Sequence, residues 1–125
     1  MKTRVFIVRH TETIGNVEKR LTGRQDYEIT ERGQVLIQKL TKELEKIKQK
    51  ALEEHIPIIM DDTLEVVDKI LKEVKPKRIL EIGTAVGYSA MCFSEYLEDG
   101  GIIDTIERDE ERIAEAKINI KNVVL

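Results

Sequence analysis

Two groups of residues have types and spacing that could do chemistry. The first lies in Leu80-Glu81-Ile82-Gly83-Thr84-Ala85-Val86-Gly87-Tyr88-Ser89. A glycine directly after a short apolar run allows positive φ and lets a ligand approach the backbone with no Cβ in the way. Gly87 would let the following helix pack closely. Glu107 follows at a distance close to the roughly 20 residues that separate a glycine turn from its acidic partner in dinucleotide sites. There an acidic side chain at a strand end accepts ribose hydroxyls. Ala85 between the glycines leaves the phosphate fingerprint incomplete. The second group is Arg9-His10-Thr11-Glu12-Thr13, with Asn16 in the loop behind it. A neutral imidazole can attack phosphorus while a guanidinium holds the charge on the phosphoryl oxygens.

Both groups need strands to aim them, since residues just past the carboxyl end of a parallel strand line the ligand crevice. Val5-Phe6-Ile7-Val8 and Ile79-Leu80-Glu81-Ile82 read as strands covered on both faces. Strands are predicted at Arg4 to Val8, Arg78 to Ile82 and Ile102 to Glu107. Helices are predicted from Thr30, as N-cap, to about Leu52, and over Thr63 to Val74, Tyr88 to Leu97 and Asp109 to Lys121. The order βα(α)βαβα predicts an α/β fold, three-layered or a partial Rossmann-like parallel sheet, with right-handed crossovers. The first strand is expected beside Arg78 to Ile82, on the side away from Ile102 to Glu107. Three strands with helices mostly on one side leave apolar area uncovered, which normally recruits a partner.

Arg9-His10-Thr11-Glu12-Thr13, Asn16, Arg20, Gly23, Asp26 and Ile29-Thr30-Glu31-Arg32-Gly33-Gln34 resemble, in order and spacing, the histidine phosphatase superfamily that includes the cofactor-dependent phosphoglycerate mutases. The resemblance implies His10 as phosphoryl acceptor, with Arg9 and Asn16 binding the phosphoryl oxygens; Thr11 replaces the commoner glycine. It also implies a second arginine, an acidic proton donor and a second histidine, none of which can be assigned here. His55 precedes Ile56-Pro57 and matches no phosphatase motif.

From about Lys50, the stretches Ile56-Pro57-Ile58-Ile59, Lys75-Pro76-Lys77, Leu80 to Ser89 and Ile103-Asp104-Thr105-Ile106-Glu107-Arg108-Asp109 resemble S-adenosylmethionine-dependent O-methyltransferases of the catechol and caffeoyl-CoA type. That resemblance implies Glu81, Gly83 and Ser89 along the methionine moiety, with Gly87 in the same turn, and Glu107 on the adenosine ribose. The family's adenine-binding loop and metal-holding residues have no counterpart among these residues. The chain reads as one α/β domain, 1–125, built from a phosphatase-like segment, 1–47, and a methyltransferase-like segment, 48–125, two half-domains joined within a helix.

Composition narrows the classes. Charged residues make up 36% of the chain and nearly balance, for a net charge of −3, so no basic field recommends nucleic acid. One cysteine excludes an intramolecular disulfide, and no apolar run is long enough to cross a bilayer. Cytoplasmic location, no membrane partner and no required cofactor are the expectations. Cys92, Met60 and Met91 read as core residues. The expected function is a recombined scaffold without complete catalysis, binding S-adenosylmethionine weakly. It is expected to be a homodimer, with the long helix able to exchange between copies. The alternatives are a methyltransferase-like protein completed by oligomerisation, and phosphoryl binding or transfer through His10.

Overall fold

The computed structural model describes residues 28–123 in full and Lys2–Val5 as backbone. Three strands form one sheet, β1 (Lys2–Val5), β2 (Arg78–Ile82) and β3 (Ile102–Ile106). Four helices are described, α1 (Glu31–Glu53), α2 (Asp61–Val74), α3 (Tyr88–Ser94) and α4 (Glu110–Val123). The predicted order of elements holds, and so does the Arg78–Ile82 strand.

The order of strands does not follow the expectation. It is β1-β3-β2, with β2 and β3 parallel from Arg78↔Ile102 to Ile82↔Ile106. β1 runs antiparallel to β3, from Lys2↔Ile106 to Val5↔Ile103. The sheet is therefore mixed, and β1 does not sit beside β2. Burial gives the reason. Ile103, Asp104 and Thr105 are all buried, so β3 takes the middle position, where both edges are hydrogen-bonded. An antiparallel neighbour also needs no helical crossover in register with β3.

β2 was expected to be covered on both faces, and this too is corrected. Leu80 is 63% exposed and Ile82 83%, while Ile79 and Glu81 face the helices half-buried. Leu80, Ile82 and Ile106 are thus exposed on one face of the sheet, on which the register also sets the buried Asp104, ion-paired with Arg78. The helices gather on the other side, where α1, α3 and α4 pack on one another and α3 packs on β3.

Thr30 caps α1 as expected, its Oγ1 accepting the Gly33 N–H at 3.0 Å. The helix reaches the core at its far end. Ala51, Ile56, Val86 and Tyr88 form a buried cluster, with Leu44 and Ile47 half-buried against it. There the chain reverses, His55 adopting φ 55° and the Ile56 N–H bonding the Ala51 carbonyl at 2.8 Å. α2 begins two residues before Thr63, because Asp61 and Asp62 suit the positive end of a helix. α3 stops short of Leu97: the N–H groups of Glu95, Tyr96 and Leu97 bond three residues back, to Cys92, Phe93 and Ser94, which tightens the chain out of α geometry. Asp109 caps α4, its Oδ1 accepting from the Glu111 and Arg112 N–H groups. Among the described residues no helix is long and apolar enough to cross a membrane.

Candidate functional site

The carboxyl ends of β2 and β3 lie side by side, and the residues singled out after β2 meet there. Gly83 leaves the strand with φ 94°, its N–H still bonded to the Ile106 carbonyl at 2.8 Å. A Cβ at Gly83 would meet nothing within 4 Å. Its conformation, and not crowding, demands glycine, and the space in front of it is open. The turn continues through Ala85, which adopts φ 45°, to Gly87 at φ 82°. Left-handed geometry costs a non-glycine residue roughly 1–2 kcal/mol. Ala85 holds it while its N–H donates to Glu107 Oε2 at 2.9 Å.

Glu107 is the hub of this turn. Its Oε1 accepts from the N–H groups of Arg108 (2.7 Å) and Asp109 (3.1 Å). The Asp109, Arg108 and Ala85 N–H groups, in that order, hold its carboxyl below the ordinary value, against a smaller upward push from burial. A carboxylate has about four acceptor positions. Three are filled by backbone, so one remains on Oε2, the oxygen bonded to the Ala85 N–H.

Behind the turn, Glu81 joins the two strands to α3. Ser89 Oγ donates to its Oε1 at 2.5 Å and Thr105 Oγ1 to its Oε2 at 2.6 Å, while the Thr84 and Thr105 hydroxyls lie 2.5 Å apart. Thr84 and Thr105 were not among the sequence candidates. The signal for Thr105 is the parallel register that sets it against Glu81, which is invisible until the strands are paired. Gly87 was expected to let the helix after it pack closely. The close neighbour is instead α4: a Cβ at Gly87 would sit 3.2 Å from Ile120 Cδ1 and 3.5 Å from Ala116 Cβ. Asn119 Nδ2 then donates to the Val86 carbonyl at 3.0 Å, fastening α4 to the turn.

Thr84, Thr105 and Glu107 line a cavity of about 10 Å³ that α4 closes with Ile113, Ala116 and Ile120. One water fits in such a space, whereas small-molecule pockets span roughly 300–1,000 Å³. The cavity is therefore too small for a small-molecule ligand, and the open surface lies at Gly83. Cys92 is half-buried, and burial pushes its thiol up to about 11, as suits a core residue. Arg9, His10 and Asn16 lie outside the described residues. His55, the other histidine, is exposed in the turn after α1. Among the described residues no group of three or more His, Cys, Asp or Glu side chains is placed to hold a metal ion.

The family profile of the histidine phosphatase superfamily (branch 1) matches residues 5–53, and that of protein-L-isoaspartate(D-aspartate) O-methyltransferase matches residues 55–125. Solved structures agree for the second segment. A Staphylococcus aureus structure described as a caffeoyl-CoA O-methyltransferase is 37% identical over 62% of this chain and 37% of its own, with a TM-score of 0.58. An O-methyltransferase from Bacillus cereus, solved with SAH, is 26% identical over 66% of this chain and 38% of its own (TM-score 0.58). TomG from Streptomyces achromogenes, an O-methyltransferase involved in tomaymycin synthesis and solved with SAM, is 26% identical over 66% of this chain and 39% of its own (TM-score 0.57). The chain thus spans less than two fifths of the length of these relatives.

Proposed function

Through residues 55–125 the chain belongs to the protein-L-isoaspartate(D-aspartate) O-methyltransferase family, and from that premise we propose that it is a recombined α/β scaffold carrying an S-adenosylmethionine half-site, with no turnover of its own. The observation that carries this reading is the pairing of the open Gly83 turn with a Glu107 carboxylate that keeps one acceptor position beside it. When bound, the cofactor supplies an electrophilic methyl group on its sulfonium sulfur. This chain's part is to bind and orient. Glu107 accepts one ribose hydroxyl. Gly83 lets the methionine moiety lie against the backbone, and Glu81, steadied by Ser89 and Thr105, presents negative charge towards its ammonium.

Affinity in this reading is low, because ligands normally bury 70–90% of their surface and the described residues provide walls for the methionine and ribose ends. His10 is assigned no phosphoryl transfer, since a histidine phosphatase site needs a second histidine and His55 sits exposed in the turn after α1. The two family segments meet at Glu54, the C-cap of α1, which favours one shared core over two separate units.

Titration calorimetry with S-adenosylmethionine tests the assignment. A weak, saturable heat is expected, with Kd of about 1 mM, or roughly −4.1 kcal/mol, abolished in Glu107→Ala. Low-micromolar binding would contradict the half-site, and heat unchanged by Glu107→Ala would place the ligand elsewhere.

A further inference from the structure

β2 lies at the edge of the sheet, and among the described residues no strand pairs with its other side. Its hydrogen bonds show which groups point outward. Lys77 O accepts from Ile102 and Gly83 N–H donates to Ile106, so the odd-numbered residues of this stretch bond to β3. Successive residues in a strand alternate. The N–H and C=O groups of Arg78, Leu80 and Ile82 therefore face away from β3. These same three residues carry their side chains on the open face of the sheet, where all three are exposed. Backbone donors, backbone acceptors and apolar side chains are thus presented together along one edge, the arrangement that most readily accepts another strand.

We propose that this edge pairs with the same edge of a second copy, antiparallel about a two-fold axis through Leu80. In that register Leu80 faces the partner's Leu80, and Arg78 faces the partner's Ile82. Every outward N–H and C=O of the three residues then finds a partner. The side chains agree with it. Two leucines meet on the axis, each isoleucine stands opposite an arginine whose guanidinium turns back over β3 to Asp104 Oδ2 at 2.5 Å, and no like charges stand opposite each other. A self-complementary patch of this kind is what an isologous dimer requires. The two sheets become one, with β2 at its centre and the open apolar faces continuous.

Short strands alone bury less than the roughly 800 Å² per partner of a standard interface. α2, which runs into β2 through Lys75, Pro76 and Lys77, carries a second exposed apolar stripe of Val66, Ile70 and Val74. That stripe adds apolar area to the segment leading into the edge. The proposal is independent of cofactor binding, since none of its residues belongs to the half-site.

Light scattering on the full chain over a concentration series reads the assembly, and cysteine variants read the register. The wild-type chain, whose only thiol is the half-buried Cys92, is the blank. Facing residues of a bonded antiparallel pair have Cα atoms about 5.5 Å apart, within the span of a disulfide. Leu80→Cys is expected to give a covalent dimer on mild oxidation. Ile82→Cys, whose counterpart lies several residues away across the axis, is not. Leu80→Lys, on an exposed side chain that leaves the core intact, is expected to shift the dimer to monomer. A monomer at every concentration would overturn the proposal. So would a dimer that survives Leu80→Lys, or cross-linking through Ile82→Cys as ready as through Leu80→Cys.

Discussion

Glu107 shows how one side chain fixes a turn. Three backbone N–H groups converge on its carboxylate and hold its titration below the ordinary value. The folded-state value lies under that of the unfolded chain. Its contribution to stability is therefore present above the unfolded value, about 4.3 for glutamate, and is lost as pH falls through the folded one. The urea midpoints of the wild type and Glu107→Gln should differ at pH 7 and converge as pH falls through the lowered folded-state value. A difference that stays constant with pH would show that the backbone bonds do not depend on the charge. The places of Glu107 and Gly83 were legible in the sequence because they follow from pattern: a glycine ending one strand and an acid ending the next. Thr84 and Thr105 were not, since a threonine near a strand end says nothing until register places it beside Glu81.

Between elements, the contact that matters most to the site is that of α4 on the Gly83–Gly87 turn. Gly87 has both a left-handed φ and Ile120 against its α-carbon, whereas Gly83 has the φ alone. Gly83→Ala should then cost only the backbone strain, roughly 1–2 kcal/mol. Gly87→Ala adds overpacking, typically a further 1–3 kcal/mol. Denaturant unfolding of the two variants measures the gap, and equal losses would mean that α4 yields without cost. Helix α1 and strand β2 were readable from the Thr30 cap and the Ile79–Ile82 run. Strand order was not readable, because it depends on which edges are left to pair. The rule that neighbours in an α/β sheet run parallel is a statement about crossovers, and β1 reaches β3 without one in register. The apolar character of Leu80 and Ile82 was visible, but what covers them was not, and the open face shows that an apolar run need not be a buried one.

For the whole molecule, the two family segments share one core. α1 belongs to the phosphatase-like match, yet Ala51 is packed with Val86 and Tyr88 of the methyltransferase-like match, and Lys50 reaches Glu115 of α4 at 2.9 Å. The joint at Glu54 coincides with the end of a helix, and hydrogen bonds still run across it, from the Glu54 N–H to the Lys50 carbonyl at 3.0 Å and from the Ile56 N–H to the Ala51 carbonyl at 2.8 Å. It was expected inside the helix, since the apolar spacing of α1 runs on past the fading of the phosphatase pattern. In the proposed function, this composite core still presents the first half of a cofactor site. Backbone amide NMR during addition of S-adenosylmethionine to millimolar concentration tests it most directly. Fast-exchange shifts confined to the Gly83–Ser89 turn and the Glu107–Asp109 amides are expected. Shifts centred elsewhere, or none at all, would contradict it.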